Sequence, residues 1–509
     1  MTGDGAGDQV SGGESQVSGA GDQVSGGESY GDFEPVIGLE VHCELRTRTK
    51  LFCGCPNSFG DAPNTNVCPV CLGLPGSLPV LNATAVELAM RIGTALHCDI
   101  RPSSFHRKNY FYPDMPKDYQ VSQYDEPINV GGWLELPDGS RVGIVRAHIE
   151  EDTGKTTHAG GTGRIHGSSY SLVDYNRAGV PLVEIVSEPD IRSAAQARLY
   201  AAELRAILVA TGASDGRMEE GSMRVDANVS VRRRGASELG TRCEVKNLNS
   251  LRSLTRAIDH EVRRQVGIIE KGGAVAQETR HFDEAQGATV AMRSKEEAFD
   301  YRYFPEPDLV PLAPDAAWQS EVAASLGPMP AERRSRVSEL IGARGGTAGD
   351  GATSASQIAT VVELGLDGLV EAAVTSGVDP GLALARAANE AAAGGDAARG
   401  LDPAGFTALL KLEAARKLSA TQAKAVLAEM LLHGGDPATI ARAKGFEVMD
   451  EGELATVVRQ VVDESPGEWH RYLEGEEKLA QFFVGKVMKA TRGRADGKAV
   501  IAALDRLRS

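Results

Sequence analysis

The sequence predicts an α+β protein: an N-terminal domain built on a largely antiparallel sheet, followed by an all-α domain and a small helical tail domain. Three observations predict it. Period-two alternation of apolar and polar residues recurs in four separate stretches between Val36 and Val231, the mark of strands with one buried face. Leu251, Leu254, Ile258, Val262 and Ile269 form a stripe at helical spacing, which marks an amphipathic helix. From Ala313 onward the composition turns Ala-rich, and Ala is the strongest helix former.

A chain of 509 residues exceeds what one core holds and divides into about three domains. Residues 1–30 repeat GDQVSGGES at Gly7 and Gly21 with almost nothing to bury, so a low-complexity tail is expected. Residues 31–312 carry the strands, turns and a few helices. Residues 313–400 form a helical linker domain, interrupted by a loop from Gly342 to Ser356, and 401–509 form the tail domain. Asp402 and Pro403 are read as N-cap and first residue of the helix that opens it. Ser250 or Asn249 caps the Leu251–Lys271 helix, and Gly272-Gly273 stops it.

Composition also excludes functions. A formal charge of −16 repels a phosphate backbone, so any RNA contact must be local. No run of eighteen uncharged apolar residues and no secretory signal is present, which places the chain in the cytoplasm. Seven cysteines are an odd number, and four sit in short paired spacings. That favours metal over a disulfide framework.

In VIGLEVHCEL, Ile37, Leu39, Val41, Cys43 and Leu45 share one face while Glu40, His42 and Glu44 share the other. Two carboxylates and an imidazole so close together repel one another unless a cation or strong donors neutralise them. For this strand alone, a solvated polar face explains the pattern equally well. The cysteines follow as C-x-C at Cys53 and Cys55, then C-P-V-C at Cys68 and Cys71. Four thiolates suit tetrahedral zinc, and with every position taken by protein the site is a structural clip. Cys43, Cys98 and Cys243 lie in apolar phases and read as packing residues.

The design recurs on later strands. In RVGIVRAHIEEDTGK, Arg146, His148, Glu150 and Asp152 share a face, so Glu150 rather than Glu151 points with the polar set. In PLVEIVSEPD, Glu184 sits on a largely apolar strand that would normally exclude it, and an embedded carboxylate needs a partner. In MRVDANVSV, Val225, Ala227, Val229 and Val231 oppose Arg224, Asp226, Asn228 and Ser230. Together these strands describe a sheet lining a polar cavity.

The segment His106–Gln123 interleaves Arg107, Lys108 and Lys117 with Tyr110, Phe111, Tyr112 and Tyr119, a composition that stacks a base and holds phosphates or anchors an ordered loop. Arg242, Lys246, Asn247, Arg293, Lys295 and Arg302 are further phosphate candidates. Two phosphate-loop matches fail: DTGKTT has Ile149 where glycine is needed, and GRADGK is one residue short. Near the C-terminus, Lys486, Lys489, Arg492, Arg494 and Lys498 gather against Asp496, a basic patch on an acidic chain or the solvated face of a terminal helix.

Taken in order, VIGLEVHCEL, HRKNYFYPD, HIEEDTGK, LVDYNRAGVPLVEIVSEPD, MEEGSMRVDANVSV, EVKNLNS, ETRHFDE and DYRYFPEPDL resemble the GatB family of aspartyl-tRNA(Asn)/glutamyl-tRNA(Gln) amidotransferases, and the resemblance covers almost everything after the tail. It implies a cradle-shaped catalytic domain and a tail domain similar to small helical proteins of the YqeY type. It implies a heterotrimer with an amidase-type partner, which frees ammonia from glutamine, and a small third partner that wraps the pair. It implies ATP- and Mg²⁺-dependent phosphorylation of the side-chain carboxylate of Glu-tRNA(Gln) or Asp-tRNA(Asn), then displacement of phosphate by channelled ammonia. The family's Mg²⁺ ligands match His42, Glu150 and Glu184, with Glu40 a further participant, and zinc ligation matches Cys53, Cys55, Cys68 and Cys71. The patch from Lys486 to Lys498 suits a tRNA backbone. Val225 stands where many relatives carry Cys. A non-catalytic, zinc-stapled tRNA-binding scaffold is the alternative, and Glu184 inside an apolar strand argues against it.

Overall fold

The computed structural model describes residues 30–160, 168–292, 301–343, 351–446, 451–491, 495 and 497–508. The repetitive stretch before Tyr30, together with Arg293, Lys295, Arg492, Arg494, Asp496 and part of the Gly342–Ser356 stretch, lies outside them. Among the described residues, thirteen strands form one sheet. Its main path uses β1 (Phe33–Glu44), β2 (His106–Asn109), β3 (Tyr119–Ser122), β4 (Arg141–Glu151), β5 (Pro181–Ser187), β6 (Met223–Arg233), β7 (Cys243–Leu248), β8 (Thr279–Asp283), β9 (Ala288–Ala291) and β10 (Phe304–Pro305). The order is β9-β8-β7-β6-β1-β5-β4-β3-β2-β10.

Its pairs are antiparallel except β7 with β8. A parallel pair needs a crossover, and the helix α3 (Leu251–Glu270) supplies it. Helix α3 begins at Ser250, whose hydroxyl accepts from the Ser253 amide at 3.0 Å. It ends at Gly272, whose φ of +76° is open to glycine without the clash a Cβ brings.

The apolar faces of the central strands form the core. Ile37, Leu39, Val41, Val183, Ile185, Ala147, Ile149, Val225, Ala227 and Val229 are all fully buried. They pack in one cluster with Val86 and Met90 of α1 (Ala83–Ala95), Leu204 and Leu208 of α2 (Ala194–Ala210), and Leu254, Ile258 and Val262 of α3. Helices on one face leave the other free for polar groups, as the alternation requires. Val225 is fully buried in this cluster, as its apolar phase predicts.

The chain after Ala316 is helical. One core runs from Val337 to Ala441 and joins Val361, Val370 and Leu384 to Phe406, Leu409 and Val426, so the expected boundary at 400/401 lies within a shared core. Asp402 caps the Pro403–Ala414 helix, accepting from the Gly405 amide at 2.9 Å. The helix Gly351–Glu363 begins inside the stretch expected to be loop. Its small Ala, Ser and Thr residues tolerate helix, and burial of Ile358, Val361 and Val362 stabilises it where local propensity alone does not. A separate small core joins Leu454, Val458, Phe483, Val487, Val500 and Leu504.

Candidate metal centre and active site

Register builds the site. His42 on β1 lies directly opposite Glu184 on β5, and Glu184 lies opposite His148 on β4. On the other side His42 faces Arg224 of β6. Glu150, two residues beyond His148, shares its face. Four strands thereby deliver imidazole, carboxylate and guanidinium groups to one patch.

His42 Nε2 is 3.4 Å from Glu184 Oε2 and 3.9 Å from Glu150 Oε1. One ligand atom from each of His42, Glu150 and Glu184 lies within 4.8 Å of the others. Two carboxylates and one imidazole fit a divalent cation that keeps further positions for water or phosphate. The patch is partly open: the His42 and Glu184 side chains are 20% and 13% exposed, while Glu150 is nearly inaccessible. Glu40 lies outside this trio. It faces Asp226 across the strands and accepts a 2.8 Å hydrogen bond from Asn228 Nδ2.

The electrostatics are those of crowded acids short of positive charge. Burial works against charge on His42, but its hydrogen bond to Glu184 and the fields of Glu184 and Glu150 outweigh it and lift the imidazole to about 9. Burial, then the Glu184 charge, raises Glu150 to about 7. Burial alone would lift Glu184, yet His148 and His42 hold it below the usual carboxylate range. Burial lowers His148 to about 4 against the opposing pull of the Glu184 charge. Burial, then Glu184, also raises Glu40.

The basic and aromatic segment divides sharply. Arg107 is held by a bidentate pair to Glu306, with both contacts 2.7 Å, Lys117 pairs with Glu151, and Lys246 pairs with Glu244 at 2.7 Å. Lys108 has no carboxylate within 4.0 Å among the described residues. Its charge nonetheless acts on Glu150 and Glu184, and its Nζ lies 4.9 Å from the Tyr301 ring centroid. Tyr303 stacks on Tyr124 at 4.9 Å, and Arg146 lies over Tyr124 at 4.8 Å while reaching to 3.7 Å from Glu184. Burial, then Glu150 and Glu184, pushes the Tyr303 phenol up. Sequence reasoning assigned no site role to Arg146 or Tyr303 and did not separate Lys108 from its basic neighbours. For Arg146 a signal existed, since it shares the phase of His148 and Glu150.

Cys53, Cys55, Cys68 and Cys71 bring their sulfurs within 4.8 Å of one another. The Cys71 thiol is drawn down to about 5, first by its hydrogen bond to Cys53. Four soft donors so close fit tetrahedral zinc. Cys43 and Cys243 are fully buried, and Cys98 packs against the core. In the tail, Lys486 and Lys489 on the Leu479–Ala490 helix and Lys498 on the Gly497–Arg508 helix are exposed. Lys486 also donates to Ser465 Oγ at 2.8 Å.

A catalytic-type sheet domain with an acid–imidazole centre and a separate helical tail is the class this architecture defines. The GatB/GatE catalytic domain matches residues 35–320 and the GatB domain matches residues 384–507. Among similar proteins is the GatB subunit of the aspartyl/glutamyl-tRNA(Asn/Gln) amidotransferase of Anaeromyxobacter sp. (strain Fw109-5), 49% identical over 495 residues, which cover 93% of this chain and 98% of that one. Proteins of the same name from Salinispora arenicola (strain CNS-205) and Frankia casuarinae are 48% and 49% identical. The alignments cover 92% and 93% of this chain and 95% and 96% of those relatives. The chain belongs to the GatB family of amidotransferase subunits.

Proposed function

We propose that this chain is the component of a tRNA-dependent amidotransferase that activates and amidates a misattached Glu or Asp on tRNA. The observation that carries it is the convergence of His42, Glu150 and Glu184 near Lys108, which among the described residues has no carboxylate within 4.0 Å, in a chain whose relatives bear that name. A carboxylate is a poor electrophile, and bringing it to the γ-phosphate of ATP sets two anions against each other. Mg²⁺ supplies charge neutralisation there when bound. His42, Glu150 and Glu184 would hold it. Lys108 meets a phosphate oxygen, and the stacked Tyr124–Tyr303 pair offers a flat surface for a base.

In the first step an oxygen of the substrate carboxylate bonds to the γ-phosphorus, and the bond to the β–γ bridging oxygen breaks, releasing ADP. In the second, ammonia attacks the acyl carbon, phosphate leaves with the acyl oxygen, and the nitrogen sheds a proton. Burial of Glu150 and His148 keeps this side of the patch dry and limits hydrolysis of the acyl phosphate. Ammonia comes from an amidase-type partner, with a small third protein completing a heterotrimer in the cytoplasm, and Lys486, Lys489, Arg492, Arg494 and Lys498 meet the tRNA backbone. No helix among the described residues is long and apolar enough to cross a membrane. Cys53, Cys55, Cys68 and Cys71 hold zinc as a structural clip.

The test is to assemble the chain with its amidase-type and small partners and measure conversion of Glu-tRNA(Gln) and Asp-tRNA(Asn). Glu150→Ala and Glu184→Ala should abolish amide formation while glutamine hydrolysis persists. Full amidation in both variants would leave a tRNA-binding scaffold as the role of this chain.

A further inference from the structure

Lys50 is a lysine with no accessible surface at all. A buried ammonium is costly unless paired and hydrogen-bonded. Its one hydrogen bond runs from Nζ to the Tyr175 carbonyl at 3.0 Å, and among the described residues no carboxylate lies within 4.0 Å. The acid nearby, Glu151, is already paired with Lys117.

Gly179 locates what surrounds the Lys50 stem. A Cβ built on Gly179 would lie 3.7 Å from Cys71 Cβ, 3.7 Å from Lys50 Cδ and 3.8 Å from Glu151 Oε2. The cysteine clip, the buried lysine and the Lys117–Glu151 pair therefore meet at one point. A cavity of about 70 Å³, lined in part by Cys53, Cys71, Lys117 and Glu151, opens beside it. The backbone is tied in as well, with the Lys50 amide donating to the Cys55 carbonyl at 3.0 Å and the Leu51 amide to the Gly179 carbonyl at 2.9 Å.

Zn²⁺ held by four thiolates carries two net negative charges. We infer that Lys50 is the counter-cation of the zinc–thiolate clip, a positioning residue that fastens the metal site to the Tyr175–Gly179 segment. The inference rests on reading the four cysteines as a zinc site. The clamp has a consequence at the active site, because Tyr175–Gly179 leads directly into β5, the strand that carries Glu184. The Gly179 amide also donates to the Asp152 carbonyl at 2.9 Å, just past Glu150 on β4. Groups around metal ligands characteristically tune affinity about 10–100-fold.

The experiment compares wild type, Lys50→Met and Lys50→Arg as full-length protein, by competition for zinc with a chromogenic chelator and by amide hydrogen exchange at Gly179 and Val180. Met keeps the volume and removes the charge, and apolar replacement of a buried ion is often well tolerated. Lys50→Met should remain folded, bind zinc about 10–100-fold more weakly and exchange faster at Gly179 and Val180. Zinc removal from wild type should reproduce that faster exchange, and Lys50→Arg should restore part of the affinity. Wild-type zinc affinity in Lys50→Met would overturn the counter-cation role and leave the clip intact. Absence of zinc from wild type itself would overturn the clip reading and this inference with it. Should Lys50→Met fail to fold, the neutral Lys50→Gln set against the cationic Lys50→Arg decides: equal zinc affinity in those two variants would overturn the role.

Discussion

His42 and Glu184 face each other across adjacent antiparallel strands, with the imidazole Nε2 3.4 Å from a carboxylate oxygen. The contact is an ion pair whenever the imidazole carries its second proton. On the proposed reading a bound cation would take both groups as ligands, so the proton on His42 would have to leave and the pair would exchange a proton for a metal.

That exchange fixes a pH dependence. His42 is raised to about 9, so its contribution to stability is fully present below its ordinary 6.5 and is lost as pH climbs through about 9. Glu150 is raised to about 7, so its contribution is lost as pH climbs from its ordinary 4.5 through about 7. Both act in one direction. Thermal unfolding of the metal-free protein should occur at lower temperature at pH 9 than at pH 6.5, and the rise in Tm given by Mg²⁺ or Mn²⁺ should be larger at pH 9. Equal gains at the two pH values would separate these residues from metal binding.

Among the described residues Lys108 has no carboxylate within 4.0 Å, while its charge acts on Glu150 and Glu184. Charged hydrogen bonds contribute about 1.5–3 kcal/mol, so Lys108→Met should lower kcat/KM for ATP about 10–100-fold in the assembled complex. Arg107→Met is the control for a phosphate role, because the guanidinium is occupied by Glu306. It should weaken stability more than it weakens ATP use.

Metal analysis of the purified chain should find one zinc, the capacity of a closed four-thiolate site. Cys68→Ser and Cys71→Ser should each lose it and lower Tm. A stable wild-type preparation free of zinc would remove the clip.

The helix α3 tests the fold independently of chemistry. Ser250→Ala removes a side-chain cap and should cost about 1 kcal/mol. Leu254→Ala opens a cavity in the core and should cost about 2–5 kcal/mol, both read from denaturant unfolding.

What the sequence disclosed and what it hid have physical causes. Strand phase depends only on neighbours one and two residues away, so the choice of Glu150 over Glu151 was legible, as was the Asp402 cap beside Pro403. The approach of Tyr301 and Tyr303 to the site was not. It depends on pairing across the fold, where the Asn109 amide donates to the Tyr301 carbonyl at 3.0 Å. Lys50 was silent for the same reason: a lone lysine near Cys53 reads as a surface residue until the Tyr175–Gly179 segment closes over it. The basic residues of His106–Gln123 looked alike in composition, and only the placement of Glu306 and Glu151 separates the paired ones from Lys108.

The most direct measurement is Mn²⁺ titration of the purified chain, followed by electron paramagnetic resonance, in wild type and in His42→Ala, Glu150→Ala and Glu184→Ala. One Mn²⁺ should bind wild type and be displaced by Mg²⁺, and each substitution should weaken it about 100-fold or more, beyond what loss of a supporting group costs. Undiminished Mn²⁺ binding in all three variants would contradict a metal centre built from these three strands.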